Sequence, residues 1–255
     1  MVLSIVGLLC ALKHDLSKAI STVTLVNCIL VIFQYILGKN PGGFWLSTCV
    51  NSLTIALALP FLSKKYRPLV ILASFVAVLI SGSVVGFAAW SIAFLFMTFR
   101  FWFACVLTVA AGGFGYLVIP EPTNENGRLI VWRSGLEFFN NHINHWFGAG
   151  YGMWPVVTQV VQNKDMRGLR EIGAAKFGYF QFVHNDYLQI LFECGYIGLG
   201  LFLAALGYQI YKSKNDRRML AFWLSLSVAM LAMSPMYLPG MLFFIVYAMR
   251  GQNVQ

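Results

Sequence analysis

The chain has 255 residues, 59% hydrophobic and only 11% charged, with a formal net charge of +9. Soluble domains carry roughly 25% charged residues, so the composition leaves no room for an ordinary soluble single-core fold. The basic residues are not gathered on one face, which gives no reason to expect a nucleic-acid partner.

Residues 1–12 are apolar but lack a basic n-region and a small-residue cleavage site, against a cleaved signal peptide. At 1.5 Å per residue they reach only ~18 Å of a ~30 Å hydrocarbon core. They read as a short N-terminal partial span. Apolar segments follow at about 20–38, 45–62, 68–81, 84–99, 101–119, 186–211, 219–234 and 237–249. Such runs predict an all-α polytopic membrane protein with about eight transmembrane helices. Residues 68–119 fit either two long spans or three short ones.

Charge decides between them. With the first connection in the cytoplasm, the inner connections carry Lys13, Lys18, Lys64, Lys65, Arg67, Arg100, Lys212, Lys214, Arg217, Arg218 and Arg250, and the short outer ones only Lys39. Positive residues mark the cytoplasmic side, and two spans in 68–119 would reverse half of that pattern. The expected divisions are an N-terminal transmembrane bundle (1–119), a large outer loop with short helices (120–185) and C-terminal transmembrane helices (186–255). Cys10, Cys28, Cys49, Cys105 and Cys194 are scattered through apolar segments and read as small buried hydrophobes.

The outer loop is rich in aromatic residues, which favours order over disorder. Leu129, Trp132, Leu136 and Phe139 recur at helical spacing and predict an apolar face. Arg128 lies in the first turn, where the helix dipole disfavours a cation, so an anion outside the helix is its expected partner; Arg133 is a second candidate. His142-Ile143-Asn144-His145 has a chelating spacing but no carboxylate or Cys beside it, and no metal site is expected. Gly148-Ala149-Gly150-Tyr151-Gly152 follows no strand, so it reads as a tight turn that brings backbone close to something. Residues 163–178 mix charge and glycine and suit a lid.

His184 precedes the next span, and Asn185 or Asp186 can cap that helix. Its amide-bearing end suits an anion. Asp186, Gln189 and Glu193 then form one polar stripe. An ionisable residue as deep as Glu193 is a candidate functional group.

Asn126-Gly127-Arg128, His145-Trp146-Phe147-Gly148-Ala149-Gly150-Tyr151-Gly152, His184-Asn185-Asp186-Tyr187-Leu188 and Glu193-Cys194-Gly195-Tyr196-Ile197-Gly198 together resemble the O-antigen ligase and O-antigen polymerase family. The likeness covers about 120–205. It implies a bacterial inner-membrane glycosyltransferase, with the large loop in the periplasm. The donor would be a glycan on undecaprenyl pyrophosphate. The acceptor would be a hydroxyl of lipid A-core, of another glycan or of a protein. No cofactor or metal is implied. The expected catalytic residues are Arg128 and His184, with Glu193 or Asp186 orienting the imidazole. Arg133, Arg170, Asn185, Asp186 and Tyr187 are the expected substrate-binding residues. Members often have an Arg beside the serine at the outer end of a mid-chain span, which Ser81-Gly82-Ser83 lacks, and they are usually longer. The competing expectation is a non-catalytic membrane protein: a short relative that modulates a host polymerase, or a transporter of lipid-linked glycan.

Overall fold

A computed structural model describes residues 16–39, 48–65, 67–99, 103–104, 106–107, 125–160, 183–231, 233–237 and 239–251. The described residues are all-α, with no strand. The helices are α1 (Ser17–Ile36), α2 (Thr48–Ala58), α3 (Arg67–Ile80), α4 (Val84–Thr98), α5 (Glu125–His142), α6 (Trp154–Val160), α7 (Asp186–Lys212), α8 (Arg217–Ala229) and α9 (Pro239–Gly251). Single 3₁₀ turns lie at Leu59–Phe61 and Pro235–Tyr237.

Among the described residues, only α1 and α7 are long and apolar enough to cross a membrane by themselves. At 14 and 15 residues, α3 and α4 reach only ~21–23 Å. Most of the eight expected spans are thus represented by helices shorter than a full crossing. The third span expected in 68–119 falls mostly outside the described residues, as does the lid expected at 163–178. Much of α1 and α7 is exposed apolar surface, including Val23, Ile29 and Phe33 on the first and Leu201 and Leu203 on the second.

The chain divides into two compact units, and the division differs from the expected one. The first unit takes residues 1–121, 209–229 and 235–255; the second takes 122–208 and 230–234. Residues 186–208 of α7 thus belong with the segment that precedes the helix, because backbone of that segment bonds directly to it.

In the first unit α4 is the central helix. Phe87, Trp90, Ile92, Ala93, Leu95 and Phe96 are all buried, so no one face is left polar. Ser83 starts it, its Oγ accepting from the Gly86 N–H at 3.1 Å, a cap worth about 1 kcal/mol. At Gly86 helices α2 and α4 approach so closely that a Cβ would overlap the Ser52 side chain. Small polar residues join the helices where no ion pair is needed. Asn27 Nδ2 donates to Asn51 Oδ1 at 2.6 Å. The Trp90 indole donates to Ser74 Oγ at 2.8 Å. Phe61 packs against Phe222, Phe244 and Tyr247.

Candidate active site

The second unit is built on α5, α6 and residues 186–208 of α7. Its core contains Val131, Phe139, Trp154, Val157, Val183 and Phe192. The Trp154 and Phe192 rings stack at 5.2 Å. The buried side of α5 differs from the expected face. Leu136 is exposed, whereas Val131, Ser134 and Gly135 are buried. The reason is the size of Gly135: a Cβ there would meet the Phe192 ring at 2.6 Å and Trp154 at 3.0 Å. The helix turns its smallest residues toward the large rings.

Helix α7 is not continuous. Gly195 has φ 67° and ψ −168° inside it, a backbone region essentially confined to glycine. The break exposes main-chain groups that a straight helix would satisfy. The segment after α5 satisfies them. Ala149 N–H donates to Phe192 O at 2.9 Å and Gly150 N–H to Glu193 O at 2.8 Å. In return Tyr196 N–H donates to His145 O at 2.8 Å and Ile197 N–H to Trp146 O at 3.2 Å. Gly148 has φ 73° and lies so close that a Cβ would meet the Glu193 carbonyl carbon at 2.4 Å. This is the close backbone approach that the glycine cluster led one to expect, and its partner is the broken helix.

Glu193, expected as a catalytic group, is tied into the fold. It is 1% exposed. Its Oε2 accepts from Gly152 N–H at 3.0 Å, and its Oε1 from Trp154 N–H at 3.3 Å and Gln189 Nε2 at 3.3 Å. The carboxylate holds the turn that leads into α6. Gln189 continues the chain, its Oε1 accepting from Val183 N–H at 3.2 Å. The stripe of Asp186, Gln189 and Glu193 is therefore buried rather than open to water. The polar atoms of Gln189 and Glu193 meet backbone amides and each other, which removes the cost of burying them.

These bonds converge on the residues around His184. Trp132 donates its indole N–H to Val183 O at 2.8 Å, one helical turn beyond Arg128. Asp186 N–H donates to Met230 O at 2.9 Å. Asn185 caps α7: its Oδ1 accepts from Leu188 N–H at 3.0 Å while Nδ2 donates to Leu231 O at 2.9 Å. That double use anchors Asn185, expected as a substrate ligand, to two backbone groups. Between these ties His184 adopts φ 58°. Among the described residues it is the one non-glycine residue with positive φ, a conformation costing roughly 1–3 kcal/mol that persists only where its surroundings impose it.

The His184 side chain is exposed on one side, yet protein crowds the rest of it. Desolvation lowers its pKa to about 4, and the nearby Arg128 charge acts in the same direction. Arg128 is half-buried. Two residues 56 positions apart are thus close enough to sense each other's charge. Arg133 is exposed and five positions further along α5, so it projects about 140° away from Arg128. Tyr187 is half-buried, with its ring edge-on to Phe202 at 6.0 Å. Asp186 lies buried in the first turn of α7. Arg170 is outside the described residues.

His142 and His145 do not converge. The first packs its ring on Phe138 and the second on Phe139. His145 Nε2 lies 3.2 Å from Asn140 O, which requires the Nε2-protonated tautomer. No cluster of three His, Cys, Asp or Glu is placed to hold a metal among the described residues. Trp132, Gly135 and Gln189 hold the site together without having been candidates. A tryptophan at i+4 from the arginine was the available signal for the first; a glycine facing aromatic residues carries no signal of its own.

The sequence matches no protein-family model and no curated protein.

Proposed function

We propose that the chain is a multi-span glycosyltransferase of the O-antigen ligase and polymerase type, in the bacterial inner membrane with residues 120–185 in the periplasm. It transfers a glycan from undecaprenyl pyrophosphate to a sugar or protein hydroxyl. The observation that carries this reading is the pairing of Arg128 with a strained, tightly tethered His184 at the start of α7. Two further features support the membrane setting. The most apolar stretches of α1 and α7 are only 33% and 17% buried, unlike the core helix of a soluble protein, and the basic residues of the short connections fall almost all on alternate ones, as in multi-span membrane proteins.

The chemistry suits these residues. The leaving group departs as a pyrophosphate anion, so it needs a fixed cation more than it needs an acid. The Arg128 guanidinium stays charged and offers planar, paired donors to phosphate oxygens. The acceptor hydroxyl must lose a proton as it attacks. With its pKa lowered to about 4, the His184 imidazole is neutral near pH 7 and can accept that proton. A diphosphate bound at Arg128 offsets the neighbouring positive charge and adds negative charge. Both changes raise the imidazole pKa and make it a stronger base when donor is present. Direct attack without a covalent intermediate inverts the anomeric centre.

Complementation of bacterial strains lacking the O-antigen polymerase or the ligase tests the reading, with the lipopolysaccharide ladder as readout. Rescue by the wild-type chain, and its loss in His184→Ala and Arg128→Ala proteins that still insert, is the expected result. Rescue that survives both substitutions refutes the site. Rescue of neither strain favours a different acceptor or the non-catalytic reading.

A further inference from the structure

An apolar groove of about 350 Å³ runs through the first unit, lined by Ile20, Val23, Thr24, Ile55, Phe243 and Phe244 among others. Its lining carries almost no polar surface apart from Thr24, Asn27 and Thr54. One end adjoins a cationic turn. Ser21, next to the groove residue Ile20, accepts at its Oγ from Ser63 N–H at 2.9 Å, and Lys64 and Lys65 follow at once. The groove residue Phe244 stacks on Phe61 at 6.0 Å. The neighbouring Leu62 carbonyl accepts from Arg67 Nη2 at 3.0 Å. Lys18 and Lys64 are exposed.

Arg67 is the unusual member. Its Nε is buried with no partner among the described residues, and a buried donor left unpaired is costly. It also lies near a like charge: burial and then Arg218 both lower its pKa. Asp216, the acidic residue of the connection to α8, uses Oδ1 to cap that helix through Arg218 and Met219 N–H. Two guanidinium groups close enough to sense each other's charge, one with an Nε–H unpartnered among the described residues, call for an anion. The adjoining groove calls for a hydrocarbon chain.

We propose that an anionic phospholipid occupies this place, its phosphate on Arg67 and Arg218 and one acyl chain in the groove. The inference rests on the membrane reading above. By the charge asymmetry, the site faces the cytoplasmic leaflet, where basic residues attract anionic lipid headgroups. A free phosphate satisfies the arginines but leaves the groove unexplained, so the lipid accounts for both.

Native mass spectrometry of the full chain, extracted from membranes and given equal phosphatidylglycerol and phosphatidylcholine, tests this. The expected result is one retained phosphatidylglycerol, enriched about 30-fold over phosphatidylcholine. Arg67→Gln combined with Arg218→Gln should bring the two lipids to parity. Ala19→Trp, which leaves the cations intact and fills the groove, should abolish retention of both. Equal retention of the two lipids by the wild-type chain, or retention unchanged in Ala19→Trp, overturns the lipid site. Thermal protection by inorganic phosphate equal to that by phosphatidylglycerol also overturns it, in favour of a free anion. Recovery of the chain from the soluble fraction without detergent overturns the membrane reading itself, a result separate from lipid parity in extracted protein.

Discussion

Replacing Gly195 by alanine isolates the break in α7. Alanine at φ 67°, ψ −168° enters a region that costs a side-chain-bearing residue roughly 1–3 kcal/mol. Its Cβ also meets the Trp146 carbonyl carbon and oxygen at 2.4 Å. These are main-chain atoms that cannot rotate away. The docked segment must retreat, which breaks the bonds from Tyr196 N–H to His145 O and from Ile197 N–H to Trp146 O. At a net ~0.5–1.5 kcal/mol each, the local loss totals roughly 2–6 kcal/mol with the strain. Hydrogen–deuterium exchange in detergent reads it directly: the amides of Ala149, Gly150, Tyr196 and Ile197 should exchange at least ~30-fold faster. Gly200→Ala serves as the control. Gly200 lies in the same helix, and a Cβ added there would have nothing within 4 Å, so alanine should leave exchange unchanged or slow it slightly. Protection in Gly195→Ala within about threefold of wild type would show that the loop does not depend on the break.

Three other outcomes follow from the same geometry. Glu193→Gln keeps the shape but turns one acceptor oxygen into a donor, facing either Gly152 N–H or Trp154 N–H; a lower unfolding temperature, from a loss of ~1.5–3 kcal/mol, is expected in a thermal melt. His184→Gly relieves the positive φ, so it should match or exceed wild-type stability in the same melt while failing in complementation. The pH dependence has a fixed sign. Because the folded His184 pKa of about 4 lies below the ordinary 6.5, the unfolded chain binds the proton in the interval between them and the folded chain does not. Stability should therefore fall as pH drops from about 6.5 to about 4, and this slope should disappear in His184→Gln.

Which parts were legible follows from what each residue type announces. The start of α7 at His184-Asn185-Asp186 was legible because a capping residue before an apolar run has a local signature. The close approach at Gly148–Gly152 was legible because clustered glycines announce backbone contact, although not its partner. The break at Gly195 was not. A lone glycine in an apolar run is compatible with an unbroken helix, and the bonds that stabilise the break come from a segment some fifty positions away. The same non-locality hid the partners of Glu193. A carboxylate in an apolar helix suggests a functional group, but two of its three partners are backbone amides about forty positions away that carry no residue identity. On α5, counting large apolar residues chose Leu136, whereas packing chose Gly135.

The corner where α7 breaks is sewn together by main-chain atoms, and that has a consequence for how the protein tolerates change. Amide and carbonyl groups are common to almost every residue, so most side chains along the seam can be exchanged without cutting a stitch. The positions held closely to one identity are those that must lack a Cβ, the Glu193 carboxylate and the two buried rings, Trp154 and Phe192. A mutational scan across 145–154 and 192–197 should therefore find sensitivity concentrated at the glycines, the Glu193 carboxylate and the buried rings of Trp154 and Phe192, with permissive positions between them.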